Sequence, residues 1–494
     1  MGKELLLGID IGTSACKIAV FNADGKVITQ TNRSYNVYYP NNGWAEQDAD
    51  EWWTEICAGI KSILDSGMVR ATDIVGIGID GQSWSAIPVD REGNALDRTP
   101  IWMDTRARDI CEKIKNRIGE DRIFDIAGND FLPSYSTPKM IWFKEEKPEV
   151  FKKTYKFLQS NSYIVHKLTG VMSQDMSQGY GLHFFDMEKL SYDEELAREF
   201  GLSVSLVPPL YKCDKIVGKV TKEAAMATGL MSGIPVVAGG LDAACGTLGA
   251  GVYKNGQTQE QGGQAGGMSI CVDHSLPHKK LILSPHVVPG KWLLQGGTVG
   301  GGGAFKWFRE EIGRDLSFDE LAAEAENIAP GSDGMIFLPY MAGERSPIWD
   351  PDAKGVYYGL SFDKTRGHLV RALFEGVAFS LQHNLLTAEE SGAEIGVLSS
   401  MGGASNSVLW TQIKADVTGR TIQVPSTDTA TTLGAAILAG VGCGIFKDYD
   451  QAVNQTVKIT RVQEPNMQNH ELYKRGMELY LRLYENLKDT FKLY

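Results

Sequence analysis

Leu5-Leu6-Leu7-Gly8-Ile9-Asp10-Ile11-Gly12-Thr13-Ser14-Ala15-Cys16-Lys17-Ile18-Ala19-Val20-Phe21 is the stretch on which the reading of this chain turns. Leu5–Asp10 and Lys17–Phe21 are apolar runs of strand length, and Ile11-Gly12-Thr13-Ser14 between them has turn chemistry. A third run, Val27–Thr31, follows Asn22-Ala23-Asp24-Gly25, so the spacing predicts two consecutive hairpins. The first turn carries the groups needed to hold a triphosphate tail. Its glycine-rich backbone offers N–H donors, Thr13 and Ser14 add hydroxyls, Lys17 supplies a cation, and Asp10 is a carboxylate able to hold Mg²⁺. Taken alone, the same residues fit a plain Gly-Thr hairpin turn equally well.

Asp48 with Glu51 three residues on resembles a capping box, and Trp53, Ile56, Cys57, Ile60 and Leu64 follow at helical spacing. This predicts an amphipathic helix packed on the hairpins. Ile74–Ile79 is a continuous apolar run, which suits a buried strand delivering the loop Asp80-Gly81-Gln82. Pro235–Ala238 reads as a strand, Gly239-Gly240-Leu241-Asp242 as a turn and Ala243–Ala250 as a helix of small residues. Asp242, framed by glycines at a strand end, is a carboxylate presented to a cleft and able to accept the proton of an attacking hydroxyl; the plain alternative is a helix N-cap.

Thr258–Gln261, Gly262–Gly267 and Met268–Val272 repeat the strand, Gly-turn, strand pattern of the first hairpin, a sign of internal duplication. Gly296-Gly297-Thr298-Val299-Gly300-Gly301-Gly302-Gly303 leads into a helix at Ala304–Arg309, and so many ordered glycines read as a nucleotide-facing loop. Met401-Gly402-Gly403-Ala404-Ser405-Asn406-Ser407 is a weaker turn signal. Thr432–Gly440, rich in Ala and Gly, predicts a helix packed closely against a neighbour, and Glu471–Leu487 a C-terminal amphipathic helix. Gly, Lys and Asn interrupt the apolar pattern at Gly251–Gly256, dividing the chain into residues 1–250 and 251–494.

Composition supports two domains. A chain of 494 residues exceeds the size at which one core keeps growing, and a cleft between two bodies is expected. A net charge of −12 argues against nucleic-acid binding. Met1–Leu7 lacks the parts of a signal peptide, and no run approaches the roughly 20 apolar residues that span a bilayer. The seven cysteines form no CxxC pair, which reads as reduced thiols in a cytoplasm.

In their order, these motifs resemble the FGGY carbohydrate kinases of the actin-like (ribonuclease H-like) ATPase superfold, nearest their xylulokinase branch. The shared words are Gly8–Lys17, Gly43-Trp44-Ala45-Glu46-Gln47-Asp48, Trp102-Met103-Asp104-Thr105-Arg106, Ser134–Trp142, Leu338–Arg345 and Gly355–Glu375. The resemblance implies an α/β protein of two such ATPase domains with a cleft between them, acting on a small sugar with ATP and Mg²⁺, without nucleic-acid or membrane partners and with a homodimer left open. It implies Asp242 as catalytic base and Asp10 with Asp242 as the metal-site carboxylates. Thr13, Ser14 and Lys17 would face the β- and γ-phosphates, Gly263 and Gln264 the second phosphate loop, Gly302 and Lys306 its flank, and Gly403, Ala404 and Asn406 the adenosine. Gln82, Ser83, Trp84, Asp104 and Asp242 would line the sugar.

Two positions depart from the family pattern. Ser83-Trp84 stands where xylulokinases have Met-His, replacing a hydrogen-bond acceptor by a larger indole that has none. Gly263-Gln264-Ala265 stands where Gly-Thr-Ser is usual, removing two hydroxyls beside the γ-phosphate. The sugar is therefore open among a xylulose-type ketopentose, ribulose, gluconate, glycerol or another polyol, and the second departure also admits a non-catalytic ATP-binding sensor.

Overall fold

The computed structural model describes residues 4–426 and 429–493. The first three residues of the Met1–Leu7 segment lie outside it. Two seven-stranded mixed sheets form the frame. In the first, β1 (Leu5–Ile11), β2 (Ala15–Asn22) and β3 (Val27–Ser34) make the two predicted hairpins. β4 (Ile74–Gly81) runs parallel to β1, and β5 (Ile216–Lys219) and β6 (Pro235–Val237) complete the order β5-β6-β4-β1-β2-β3, with Gly240–Leu241 pairing beside β4.

The second sheet repeats this plan. β7 (Thr258–Gly262) and β8 (Gly266–Val272) form the counterpart hairpin, extended by β9 (Ile282–Pro285) and β10 (Trp292–Thr298). β11 (Leu398–Met401) lies parallel to β7, β12 (Ile422–Pro425) parallel to β11, and β13 (Ile459–Gln463) closes the edge. The duplication expected from the second Gly turn is thus present in strand order and direction.

β1 is buried along its whole length because both faces are covered. Leu5, Leu7, Ile9 and Ile11 point into a core shared with Trp52, Ile56 and Ile60 of α1 (Ala49–Asp65). Asp48 caps α1 by accepting from the Asp50 N–H at 2.9 Å. Glu51, however, returns no capping bond, because the Tyr38 hydroxyl and the Asn36 N–H occupy its carboxylate. The buried stripe is Ala49, Trp52, Ile56, Gly59, Ile60 and Ile63, so Trp52 and not Trp53 enters the core.

The opposite face of β1 and β4 presents Leu6, Gly8 and Asp10 beside Gly76, Gly78 and Asp80, by the period of two along a strand. Across it lies α6 (Ala430–Gly442), the predicted Ala/Gly helix, which also crosses α2 (Asp242–Gly249). Contact is backbone to backbone: a Cβ at Gly8 would sit 2.1 Å from the Thr432 carbonyl oxygen, one at Gly78 1.8 Å from that of Ala435, and one at Gly434 1.9 Å from that of Cys245.

The Gly296–Gly303 stretch differs from its expectation. Gly296 and Gly297 belong to β10, and α3 starts at Gly302 and runs to Glu311. Packing explains most of these glycines after all: a Cβ would meet Asn384 Oδ1 at 2.2 Å from Gly296, the Pro339 carbonyl oxygen at 2.1 Å from Gly300 and the Ala265 carbonyl carbon at 2.4 Å from Gly301. Met467–Phe491 forms a longer C-terminal helix than predicted.

A methyl group at Gly78 has nowhere to go. Gly78→Ala is expected to destabilise by at least about 1–3 kcal/mol, the usual range for overpacking, whereas Gly396→Ala, whose nearest atom would be 3.4 Å away, is expected to be near neutral. Urea unfolding of both variants checks this; equal midpoints would show that α6 can lift off the sheet without cost.

Candidate active site

β1 and β4 end side by side, with Asp10 and Asp80 as register partners and Gly240 next to Asp80 on the far side. Gly240-Leu241 delivers Asp242 as the first residue of α2. Three carboxylates from one sheet edge therefore converge. Asp10 is buried; its Oδ2 accepts from the Thr431 hydroxyl at 2.9 Å in the first turn of α6 and lies 3.9 Å from Lys17 Nζ. Asp242 is only partly covered, and its Oδ1 accepts from the Ala243 N–H at 2.6 Å.

Loss of hydration pushes all three acids up, because a charged carboxylate is poorly solvated there. Burial raises Asp10, opposed by Lys17 and the Thr431 hydroxyl. Burial and the negative charge of Asp10 bring Asp242 to about 7, against the Ala243 N–H and Lys17, which pull it down. Asp80 stands well above the ordinary range through burial and then its acidic neighbours Asp10 and Asp242.

The Gly12–Ser14 turn is tied into its surroundings. Thr13 Oγ1 accepts from the Trp102 indole N–H at 2.9 Å, and the Thr13 carbonyl accepts from Gln47 Nε2 at 2.7 Å. Gln47 Oε1 in turn accepts from Gln82 Nε2 at 2.6 Å, which commits one N–H of that expected sugar contact and leaves its Oε1 without a partner among the described residues. Lys17 keeps its side chain about half exposed, at 55%.

Trp102 also walls a cavity of about 520 Å³ together with Trp84, Met103, Tyr135, Lys279 and Arg345, so both halves of the chain contribute. Trp84 both lines the cavity and is packed, stacked on Tyr135 with ring centroids 4.1 Å apart. Its φ of 62° is an outlier for a bulky side chain. The buried ammonium of Lys139 holds that backbone, donating to the carbonyls of Trp84, Ile101 and Ser134 at 2.9, 2.8 and 2.5 Å. Burial lowers the Lys139 ammonium to about 7. Ser83 accepts from the Tyr180 hydroxyl at 2.9 Å.

Asp104 does not face the cavity. It is fully buried, accepting from the Ala45 N–H at 2.7 Å, from the Arg106 backbone N–H at 3.0 Å and from the Arg106 guanidinium at 2.9 and 2.8 Å. No lone pair is left for a sugar hydroxyl, so Asp104 shapes the Trp102 loop instead.

A second cavity, of about 480 Å³, brings together Gly263, Gln264, Gly302, Lys306, Gly403, Ala404 and Asn406, all singled out from sequence. Gly302 and Gly303 N–H groups donate to the carbonyls of Gly263 and Gln264 at 2.7 and 2.9 Å, clamping this turn to α3. Phe305, Phe318 and Trp410 add an aromatic wall that sequence reasoning missed. Phe305 sat inside a predicted helix, where an aromatic is ordinarily core; Phe318 carried no signal.

A duplicated mixed-sheet frame, a Gly-rich hairpin turn in each half, and carboxylates beside one turn define an actin-like ATPase fold built for phosphoryl transfer. The chain belongs to the FGGY family of carbohydrate kinases: the family's N-terminal domain matches residues 5–249 and its C-terminal domain residues 270–443. It is 30% identical to the xylulose kinase of Bacillus subtilis over 98% of both chains. It is 27% identical to the gluconokinase of Bacillus licheniformis, covering 98% of this chain and 96% of that one. The solved xylulose kinase of Rhodospirillum rubrum, 27% identical, superposes with a TM-score of 0.90 over 99% of this chain and 100% of that one. The protein is a carbohydrate kinase, of a family that uses ATP as co-substrate.

A general base works only when deprotonated, so kcat/KM is expected to fall as pH drops through about 7, the value to which Asp242 is raised. Asp242→Asn is expected to keep nucleotide affinity and lose roughly 100-fold or more in kcat. A pH–rate profile settles the point: a flat profile from about pH 5 to 8, or near-normal turnover of the variant, removes Asp242 from the chemistry.

Proposed function

We propose that the protein transfers the γ-phosphoryl group of ATP to a hydroxyl of a xylulose-type ketopentose, with residues 1–250 and 251–494 as the two bodies that close on the substrates. Asp242 carries this reading, a partly covered carboxyl at the end of the first sheet, raised to about 7 and so poised to take the hydroxyl proton. The cavity walled by Trp84 and Trp102 takes the sugar, and the aromatic-lined cavity takes the adenosine. Thr13, Ser14 and Lys17 orient the β- and γ-phosphates, with the clamped Gly263-Gln264 turn opposite them in the duplicated frame.

The buried, poorly compensated carboxylates beside the first turn suit Mg²⁺, held by Asp10, and that ion would neutralise phosphate charge during transfer. Closure of the two bodies keeps water from the acceptor's place. Reduced thiols agree with work in a cytoplasm, and all seven cysteines are unpaired.

Arg345 supports a second reading. It lines the sugar cavity, and no carboxylate among the described residues pairs with its guanidinium. A sugar acid of gluconate type would supply that partner as a bidentate carboxylate.

A coupled ADP-release assay over ketoses, polyols and sugar acids tests these readings. The highest kcat/KM is expected for a ketopentose; preference for an aldonate transfers the proposal to the second reading. Ser83→Met combined with Trp84→His, a residue that tolerates positive φ better, is expected to move relative kcat/KM among sugars at least about tenfold, or roughly 1.4 kcal/mol. An unchanged ranking with a lowered Tm would make Trp84 a packing residue only.

A further inference from the structure

Asp80 has no counterpart among the other buried acids of the chain. Asp175 accepts from Ser177, Asn161 and the Gln178 N–H, Glu260 from Lys414 and Ser400, and Glu375 from Arg371, Ser332 and Tyr473. Asp80 has no exposed surface, yet neither of its carboxylate oxygens receives a hydrogen bond. Among the described residues it is the only buried carboxylate with both oxygens in that condition.

Among the described residues its surroundings supply no donor except a proton shared with Asp10. Strand register places its side chain on the same face as that of Asp10, within hydrogen-bonding reach of it, and the charges that act on it are Asp10, Asp242 and, more weakly, Lys17. The Thr431 hydroxyl is already given to Asp10. An ionised carboxylate buried without a partner costs several kcal/mol. Two solutions exist: a proton shared between Asp10 and Asp80, or a cation between the carboxylates and an incoming phosphate.

The strand geometry favours the cation. Both groups lie at the strand ends, beside the Gly12–Ser14 turn that receives the triphosphate in the functional reading above. Among the described residues no three His, Cys, Asp or Glu side chains converge closely enough to hold a metal by themselves. That fits Mg²⁺, which keeps several waters and takes one or two carboxylates plus phosphate oxygens. We propose that Asp80, with Asp10, is the second protein ligand of the divalent cation that enters with the nucleotide, which leaves Asp242 free of the metal to act as base. This replaces the Asp10 and Asp242 pair expected from sequence, and it rests on the reading of the protein as an ATP-dependent kinase.

Mn²⁺ binding in the presence of ADP, followed by the electron spin resonance of free Mn²⁺, tests the assignment without turnover. Asp80→Asn is expected to weaken Mn²⁺ at least about tenfold, as loss of a ligand or its close support does. It is also expected to raise the Tm of the ligand-free protein, by removing a buried acid crowded by Asp10 and Asp242, and to shrink the Tm gain from Mn²⁺ with ADP. Asp80→Ser, which keeps a small polar group, serves if the amide does not fold. Asp10→Asn is the control. If Asp10→Asn weakens Mn²⁺ and both Asp80 variants stay within twofold of the parent, Asp80 is a proton-sharing partner of Asp10 and the assignment fails alone. If no variant, Asp10→Asn included, changes Mn²⁺ affinity, the metal does not sit on these strands, and the functional reading loses its metal site as well.

Discussion

The contact between α6 and the glycine groove of β1 and β4 is the constraint from which the site follows. Gly8 and Gly78 let a helix from near the end of the chain lie directly on two strands from its beginning, at distances no side chain would permit. Once α6 is seated, its first turn stands over the strand ends, and Thr431 reaches Asp10. Close packing of this kind is stiff, because interiors respond to a misfit of even one methylene. The positions of the acids are therefore set by backbone contacts and not by the acids themselves.

That stiffness explains how three carboxylates persist so near one another. Each is raised by burial, Asp10 raises both Asp80 and Asp242, and Asp242 raises Asp80, so the edge of the first sheet holds electrostatic free energy that a cation, a proton or a phosphate-bound ligand relieves. The second sheet shows the contrast: Glu260 on β7 is closed off by Lys414 at 2.6 Å and by the Ser400 hydroxyl. One half of the duplicated frame thus leaves its acids uncompensated, and the other turns its acid into a strut.

Local features were legible in the sequence and remote ones were not. The β1–β2 hairpin and its turn could be read because alternating runs and Gly-Thr-Ser chemistry lie within twenty residues of one another. The seven residues around the second cavity were implied by the family resemblance, on glycine-rich turns that are visible locally. α6 could be read as a helix that packs closely, but its partner could not be named, since no local pattern links Thr432 to Gly8. Asp104 was implied as a sugar contact by the family resemblance, and only the four hydrogen bonds it accepts show otherwise. Asp80 passed as a loop acid before Gly-Gln; its significance lies in what fails to reach it, which no sequence displays.

The late arrival of α6 also orders events during synthesis. A nascent chain that has emerged only as far as residue 250 has made β1 to β6 but not the helix that covers one face of them, so Leu6 and the glycine groove remain uncovered. At translation rates of about 5–20 residues per second, the groove stays open for on the order of ten seconds or more before residue 442 is added. During that interval the first half lacks a complete core and depends on chaperones or on slow local collapse to avoid pairing with other chains. Thr431 can reach Asp10 only once this late segment has been made, so the acids at the end of the first sheet are held in place late in synthesis, before Tyr473 and Tyr480 of the C-terminal helix join the second half.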